Sequence, residues 1–466
     1  MLEEHQHLLH QHRLYQELEW LDQVELGINN NSFGATASPN LQSCLKPNQA
    51  LLDYALLGSD LFLFVVRLND QNQLDVSFYY LNAKADTIIA RAVMHLRQSI
   101  AAQARIHEPN ADANADAVPH ANKIKIAPEV NPEQYRFLFE VLIKPALPKL
   151  QNITHLIISP DSTLGLMPFG MLKNADGENS IRLFSSIRYI PTPRDLIRLE
   201  YVTHQEFTSQ KAELFGHNFA PVNPQIPIDP STQNNFAVAV KAAQFSFAVS
   251  ELKLTEMELR TVKQALQNKS FLVRTSFNQD FSAERLKAVQ HPSVLHLSTH
   301  GAFIRELPKN STLPLEIQAK LAHPMDRVLL LTDGAQYPNW LENNTGFISA
   351  RDILSMDLRQ SIVVLSACQT SEADTIGAGG MTSLMQAFIL ADAKTVITTL
   401  WNVYEEPTLE LLKVFYENLR DGKNTVEALQ SAQGTIWVNV TWQDPVYWAG
   451  FQHYGKPSTL VQARDD

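Results

Sequence analysis

Two reactive side chains in this sequence each close an apolar run. His300 ends the stretch "VLHLSTHG" (294–301), and Cys368 ends "IVVLSAC" (362–368). A thiol with an ordinary pKa of about 8.5 is only slightly ionised at neutral pH, so it needs a base to become a nucleophile. A facing imidazole can take the thiol proton and later return it to a leaving amine. If the two strands are neighbours, their ends lie about 5 Å apart across the ladder, and the pair shares one crevice. Gly301, next to the histidine, leaves room for a substrate backbone. The amides of Gly301 and Cys368 are candidate donors to a tetrahedral oxyanion, a contribution of roughly 3 kcal/mol per donor in acyl-transfer enzymes. His296 shares a face with His300 by the period of two and lies deeper, which suits a structural or orienting role. Each residue alone has a plain alternative: a cysteine at a strand end is commonly a small buried apolar residue.

The elements around these residues alternate. The patterning predicts strands at 61–68, 74–81, 155–160, 213–219, 271–275, 293–301, 361–368 and 394–401. It predicts helices at 132–150, 255–267 with Thr255 as N-cap, 282–290, 381–393, 406–420 and 424–436. Such alternation implies an α/β fold with a mainly parallel central sheet covered by helices on both faces, with ligands at the carboxyl ends of the strands. Residues 1–30 read as a helix with Leu14, Leu18, Leu21 and Val24 on one stripe, and 27–40 as a linker. The stretch 108–123 reads as a surface loop, and the proline-containing 304–326, directly after the histidine, as a mobile loop able to gate the crevice.

Composition narrows the possibilities. A chain of 466 residues with 45% hydrophobic content has enough core for two or three domains. A net charge of −11 without a lysine- or arginine-rich cluster argues against nucleic acid as a direct partner. No stretch reaches the roughly 18 apolar residues of a membrane span, and the N-terminus lacks a signal-peptide core. Two cysteines make no disulfide framework, so a cytoplasmic setting with reduced thiols is expected.

The segments "VLHLSTHGAF", "ISARDIL", "IVVLSACQT", "MTSLMQAFILADAKTVITTLW", "FYENLRDGKN", "EALQSAQ" and "YWAGFQHYG" together resemble the CHAT domain. That is the caspase-like peptidase domain often found behind tetratricopeptide repeats in bacteria. Upstream, "NQALLDYALLGSDLFLFVV", "HLIISPDSTLGLMPFGML" and "YIPTPRDL" look like parts of the same domain, so the resemblance covers roughly residues 45–455. It implies a caspase-like three-layer sandwich and a cysteine peptidase of the caspase, gingipain and separase group. His300 would be the general base and Cys368 the nucleophile. The implied divisions are an N-terminal helix and linker (1–44), a catalytically empty companion subdomain (45–205) and a caspase-like core (206–466). No metal or organic cofactor is implied. The expected partners are a protein or peptide substrate and a regulatory sensor protein, with no membrane.

Departures from the family pattern bear on substrate choice. Gly380 stands in place of an expected acidic residue, and "LWNVYEEPT" replaces a pair of aspartates after the tryptophan. Ser366 occupies the position two before the nucleophile where caspases carry a glutamine, so an aspartate preference is not expected. Glu405 or Glu406 is a candidate to hold a basic side chain; the alternative is a solvated first helical turn. Two rivals to the peptidase are a scaffold that kept the fold and a hydrolase of small acyl substrates with the same dyad. "GAGGMTS" lacks the lysine of a phosphate loop. His5, His7, His10 and His12 gather no three ligands on one helical face, and Cys44 has no partner histidine nearby.

Overall fold

The computed structural model of the protein describes residues 41–83, 88–96, 99, 132–202, 210–219, 251–267, 269, 271–304, 313–333, 346–369, 379–401 and 403–460. The predicted helix at 1–30, its histidines and the loop at 108–123 lie outside these residues.

Thirteen described strands join one mixed sheet. In chain order they are β1 (Gln49–Leu57), β2 (Asp60–Leu68), β3 (Leu74–Ala83), β4 (His155–Ser159), β5 (Ser186–Tyr189), β6 (Lys211–Gly216), β7 (Leu272–Phe277), β8 (Val294–Phe303), β9 (Val328–Leu331), β10 (Phe347–Ser349), β11 (Ile362–Gln369), β12 (Thr395–Thr399) and β13 (Phe451–Gly455). The longer helices are α1 (Pro132–Leu142), α2 (Pro193–Val202), α3 (Thr255–Gln267), α4 (Leu315–Leu321), α5 (Gly379–Leu390), α6 (Glu405–Arg420) and α7 (Thr425–Val438).

The strands β7, β6, β8, β11 and β12 lie side by side and parallel. The antiparallel strand β13 follows β12 and pairs on its other edge with β5, from which β4 and β1 continue in parallel. The antiparallel strands β2 and β3 close that side. All residues of β9, β12 and β13 are buried, and β9, Val328–Leu331, is wholly aliphatic. One apolar cluster reaches from Ala50 in β1 to Tyr454 in β13, so the core is continuous across the sheet.

Helices α3 and α6 cover the face that carries His296, because Glu258 of α3 and Tyr416 of α6 both bond its ring. The crossover through α5 runs across the sheet in the opposite direction to that through α3, and right-handed crossovers put α5 on the other face. There Arg198 of α2 donates to Asp392 Oδ1 (2.9 Å) and to Ile389 O (2.6 Å), at the end of α5.

Three expectations are corrected. Helix α3 begins at Thr255 itself, so Thr255 is not its N-cap. The strand expected at 213–219 runs instead over Lys211–Gly216, and by Phe219 the backbone has left the extended conformation, with φ +52°. The stretch 304–326 is not wholly loop: α4 forms within it because Leu313, Ile317 and Leu321 pack into a small cluster with Ala302, Leu329 and Leu331.

The seam at β13 generates two expectations. Gly455 has φ +93°, a Cβ would lie 2.5 Å from Lys394 O, and its own carbonyl accepts from buried Arg188 (2.7 Å). Gly455→Ala should cost about 1–3 kcal/mol, read as a lowered urea midpoint; an unchanged midpoint would contradict the packing. His453 is buried with Nε2 2.8 Å from Thr425 Oγ1. Burial first, and Arg188 second, pull its pKa from 6.5 down to about 3. Between those values the unfolded chain binds the proton and the folded one does not, so stability should fall as pH drops from 6.5 toward 3. His453→Gln should shrink that acid-side loss in urea titrations at pH 7 and 4.5.

Candidate active site

The parallel ladder between β8 and β11 sets the site. It pairs Val294 with Ile362 and runs in step through Cys368 opposite His300 to Gln369 opposite Gly301. By the period of two, His300 shares the α3/α6 face with His296, and the backbone of Cys368 lies directly opposite it toward the carboxyl end of the sheet. The other flank of β8 is fixed twice. Strand β6 pairs with it as far as Ser298, where His217 N–H donates to Ser298 O (3.1 Å). Beyond that, β9 pairs antiparallel with Gly301–Phe303, and Thr299 Oγ1 donates to Leu331 O (2.6 Å). His300 thus lies where β6 leaves and β9 begins, and it is only 1% exposed.

The segment leaving β6 supplies one wall. His217 Nδ1 accepts the N–H of Phe219 (2.9 Å), and Phe219 takes a left-handed backbone conformation, φ +52°. That turn brings the Phe219 ring 4.2 Å from the His217 ring and 5.0 Å from the His300 ring, centroid to centroid. Because Nδ1 accepts, the neutral ring of His217 carries its proton on Nε2, which faces Asp333 Oδ1 at 3.6 Å. Burial lowers the His217 pKa, and the Asp333 carboxylate opposes that shift. Sequence reasoning missed both His217 and Phe219. The signal available was "FGHNF" (215–219), another run that ends in histidine at the same edge.

Below the pair, the same face carries Ser366 opposite Ser298, then Val364 opposite His296. Both serines are buried. His296 Nε2 lies 2.8 Å from Glu258 Oε1, and Nδ1 lies 3.0 Å from Tyr416 Oη. A proton on Nε2 donated to the carboxylate, with the phenol donating to Nδ1, satisfies all three buried groups. Burial first, and Glu258 second, hold the Tyr416 pKa well above its ordinary value, so the phenol keeps its proton. The network pins α3 and α6 to β8 four residues before His300.

Both helices begin at the same edge. Glu405, first residue of α6, accepts the N–H of Leu254, directly before α3, so its carboxylate ties the two helix starts together. Glu405 is half-buried and Glu406 is exposed. Ser366 lies deeper than the pair rather than at its mouth, and Gly380 sits in the first turn of α5. Cys44 is buried far along the chain, in the short helix Leu41–Cys44. Among the described residues, no group of three or more His, Cys, Asp or Glu is arranged to hold a metal, and no helix is long and apolar enough to cross a membrane.

With this geometry in place, comparison with known sequences is informative. A profile of the CHAT domain matches residues 133–456. The chain belongs to the CHAT domain family. This CHAT protein is 23% identical over 357 residues to human Tetratricopeptide repeat protein 28, covering 70% of this chain and 13% of that protein. The mouse protein of the same name is 22% identical over 357 residues, covering 70% of this chain and 14% of its own length. The chain therefore spans only about a seventh of these relatives. Among solved structures, the separase–securin complex of Saccharomyces cerevisiae aligns with TM-score 0.44 and 11% identity, over 90% of this chain and 30% of that one. The Arg-specific cysteine proteinase gingipain R of Porphyromonas gingivalis aligns with TM-score 0.40 and 8% identity, over 72% and 70%. The fold is a mixed α/β fold around one large, largely parallel central sheet, the class the sequence motifs implied.

The buried network can be tested by its own energetics. Glu258→Ala strips His296 of its charged partner and should cost about 2–3 kcal/mol. Tyr416→Phe keeps the ring and removes one neutral bond, and should cost about 1 kcal/mol. Chemical denaturation of both variants checks the order; a reversed order would contradict the assigned proton positions.

Proposed function

We propose that this CHAT protein is a cysteine endopeptidase that works through Cys368 and His300. The observation that carries the proposal is the in-step pairing of these two residues near the carboxyl ends of adjacent parallel strands. His300 accepts the thiol proton, and the Cys368 sulfur attacks the scissile carbonyl carbon. The amides of Gly301 and Cys368 are the proposed donors to the resulting oxyanion. His300 returns the proton to the amine nitrogen as the C–N bond breaks, leaving an acyl-enzyme. Water, deprotonated by His300, then attacks the acyl carbon, the C–S bond breaks and the thiol is restored.

Phe219 against the His300 ring supports a base held in one orientation. The 1% exposure of His300 supports a latent resting state, opened by a partner or by the substrate. That the curated relatives are named for tetratricopeptide repeats supports a repeat-bearing sensor as that partner. Preference for a basic residue before the cleaved bond is assigned to Glu406, since Glu405 is engaged by Leu254. Ser366, beneath the dyad, is assigned to the floor of the substrate pocket.

The test is a mixed peptide library incubated with the full chain, with Cys368→Ala and with His300→Ala, cleavage being read by mass spectrometry. Expected are cuts that fall by about 10³-fold or more in either variant and cluster after Arg or Lys, with the clustering lost in Glu406→Gln. Equal cutting by Cys368→Ala would contradict the nucleophile. Cuts after other residues would remove the basic preference alone.

A further inference from the structure

Strand β7 lies at the margin of the sheet: among the described strands it pairs only with β6. Leu272 N–H donates to Gln210 O (2.8 Å), and in a parallel ladder alternate residues bond to the partner strand. Leu272, Arg274 and Ser276 therefore turn their backbone groups toward β6. Val273 and Thr275, between them, turn their N–H and C=O groups to the outer edge. Such an edge is a template for one more strand.

The two faces of this edge differ in chemistry. Val273 and Phe277 lie on the α3 face, partly buried against the main core. On the opposite face a groove of about 250 Å³ is lined by residues of β6, of β7 and of the short helix Ala283–Lys287 with the residues that follow it. Its apolar lining includes Phe215, Val289 and Leu272, the last 67% exposed. Its charged lining is Lys211, Arg274 and Arg285 with one carboxylate, Glu213. The Arg274 guanidinium lies 3.3 Å from Glu213 Oε1, yet its side chain is 64% exposed while that of Glu213 is 13% exposed. Burial raises the Glu213 pKa, and Arg274, Arg285 and Lys211 oppose that rise, so all three cations act on this one carboxylate. The groove thus keeps an excess of positive charge in a chain whose net charge is −11.

We propose that β7 is a docking edge for an extended segment of a partner protein in which acidic and apolar residues alternate. The segment's backbone pairs with Val273 and Thr275 as an added strand. Side chains of a strand alternate between faces, so its carboxylates meet Arg274 and Arg285 on the groove side. Its apolar residues continue the Val273 and Phe277 side. A second copy of this chain fits less well, because pairing β7 with itself sets the Arg274 side chains of both copies on one face, where like charges repel. The groove lies on the face opposite His300, so the proposal stands or falls without the dyad.

The experiment uses the full chain carrying Cys368→Ala, so that no probe is cut, and three short synthetic peptides in which valine alternates with glutamate, lysine or serine. Fluorescence anisotropy should show the glutamate peptide binding at least about tenfold more tightly than the lysine peptide. Hydrogen–deuterium exchange of β7 should slow when the glutamate peptide is added, and N-methylation of that peptide's amides should abolish both effects. Equal binding of the glutamate and lysine peptides, no binding, or unchanged exchange at β7 would overturn the proposal. A second measurement changes only exposed side chains: Arg274→Glu with Arg285→Glu should reverse the order of the two charged peptides. An unreversed order would likewise overturn it.

Discussion

The parallel ladder between β8 and β11 is the constraint on which the rest depends. Side chains alternate along a strand, so a slip of one residue would send either His300 or Cys368 to the opposite face. The slip is opposed from three directions. Strand β6 and strand β9 grip the same flank of β8 at successive heights, and β12 holds the far edge of β11. On the α3/α6 face, the His296 bonds to Glu258 and Tyr416 fix the rotation of β8 against two helices. A register error would bury Leu295 or Leu297 where a polar network now sits, leaving Glu258 without its partner.

Much of this was legible in the sequence, for identifiable reasons. Strands β8 and β11 carry buried aliphatic runs, Val294–Leu297 and Ile362–Leu365, that give way to His-Gly and Cys-Gln. Helix α3 was read at its observed bounds because its apolar spacing is strong. Three of the five strands absent from that reading share a different property, while β1 was seen only within the motif "NQALLDYALLGSDLFLFVV". β5 has four residues, β9 four and β10 three, and each is held by long-range pairing rather than by its own pattern. β13 was seen only as part of the motif "YWAGFQHYG", since Gln452 and His453 are polar yet wholly buried. Their burial is allowed by partners distant in sequence, Met167 O for Gln452 and Thr425 for His453.

The site was legible in part. His300 and Cys368 could be placed at strand ends from sequence alone, but their alignment needs the ladder. The carboxylate at Glu405 could not be assigned from sequence, because its partner is the backbone amide of Leu254, some 151 residues away. Thr255 was read as a cap because its type fits one, but it lies inside the helix, and Glu405 of another helix accepts the N–H of Leu254 just before it. For His217 and Phe219 the sequence offered only the short run "FGHNF", since their relation to His300 exists only once β6 lies beside β8.

The central claim is that His300 activates Cys368, and thiol reactivity measures this without any substrate. The rate of alkylation by iodoacetamide, followed at each cysteine from pH 5 to 10, compares Cys368 with the buried Cys44 in the same molecule. The account predicts that Cys368 reacts with an apparent pKa below about 8.5, and that His300→Ala moves it up toward that value. A Cys368 profile at or above 8.5 that His300→Ala leaves unchanged would contradict the dyad.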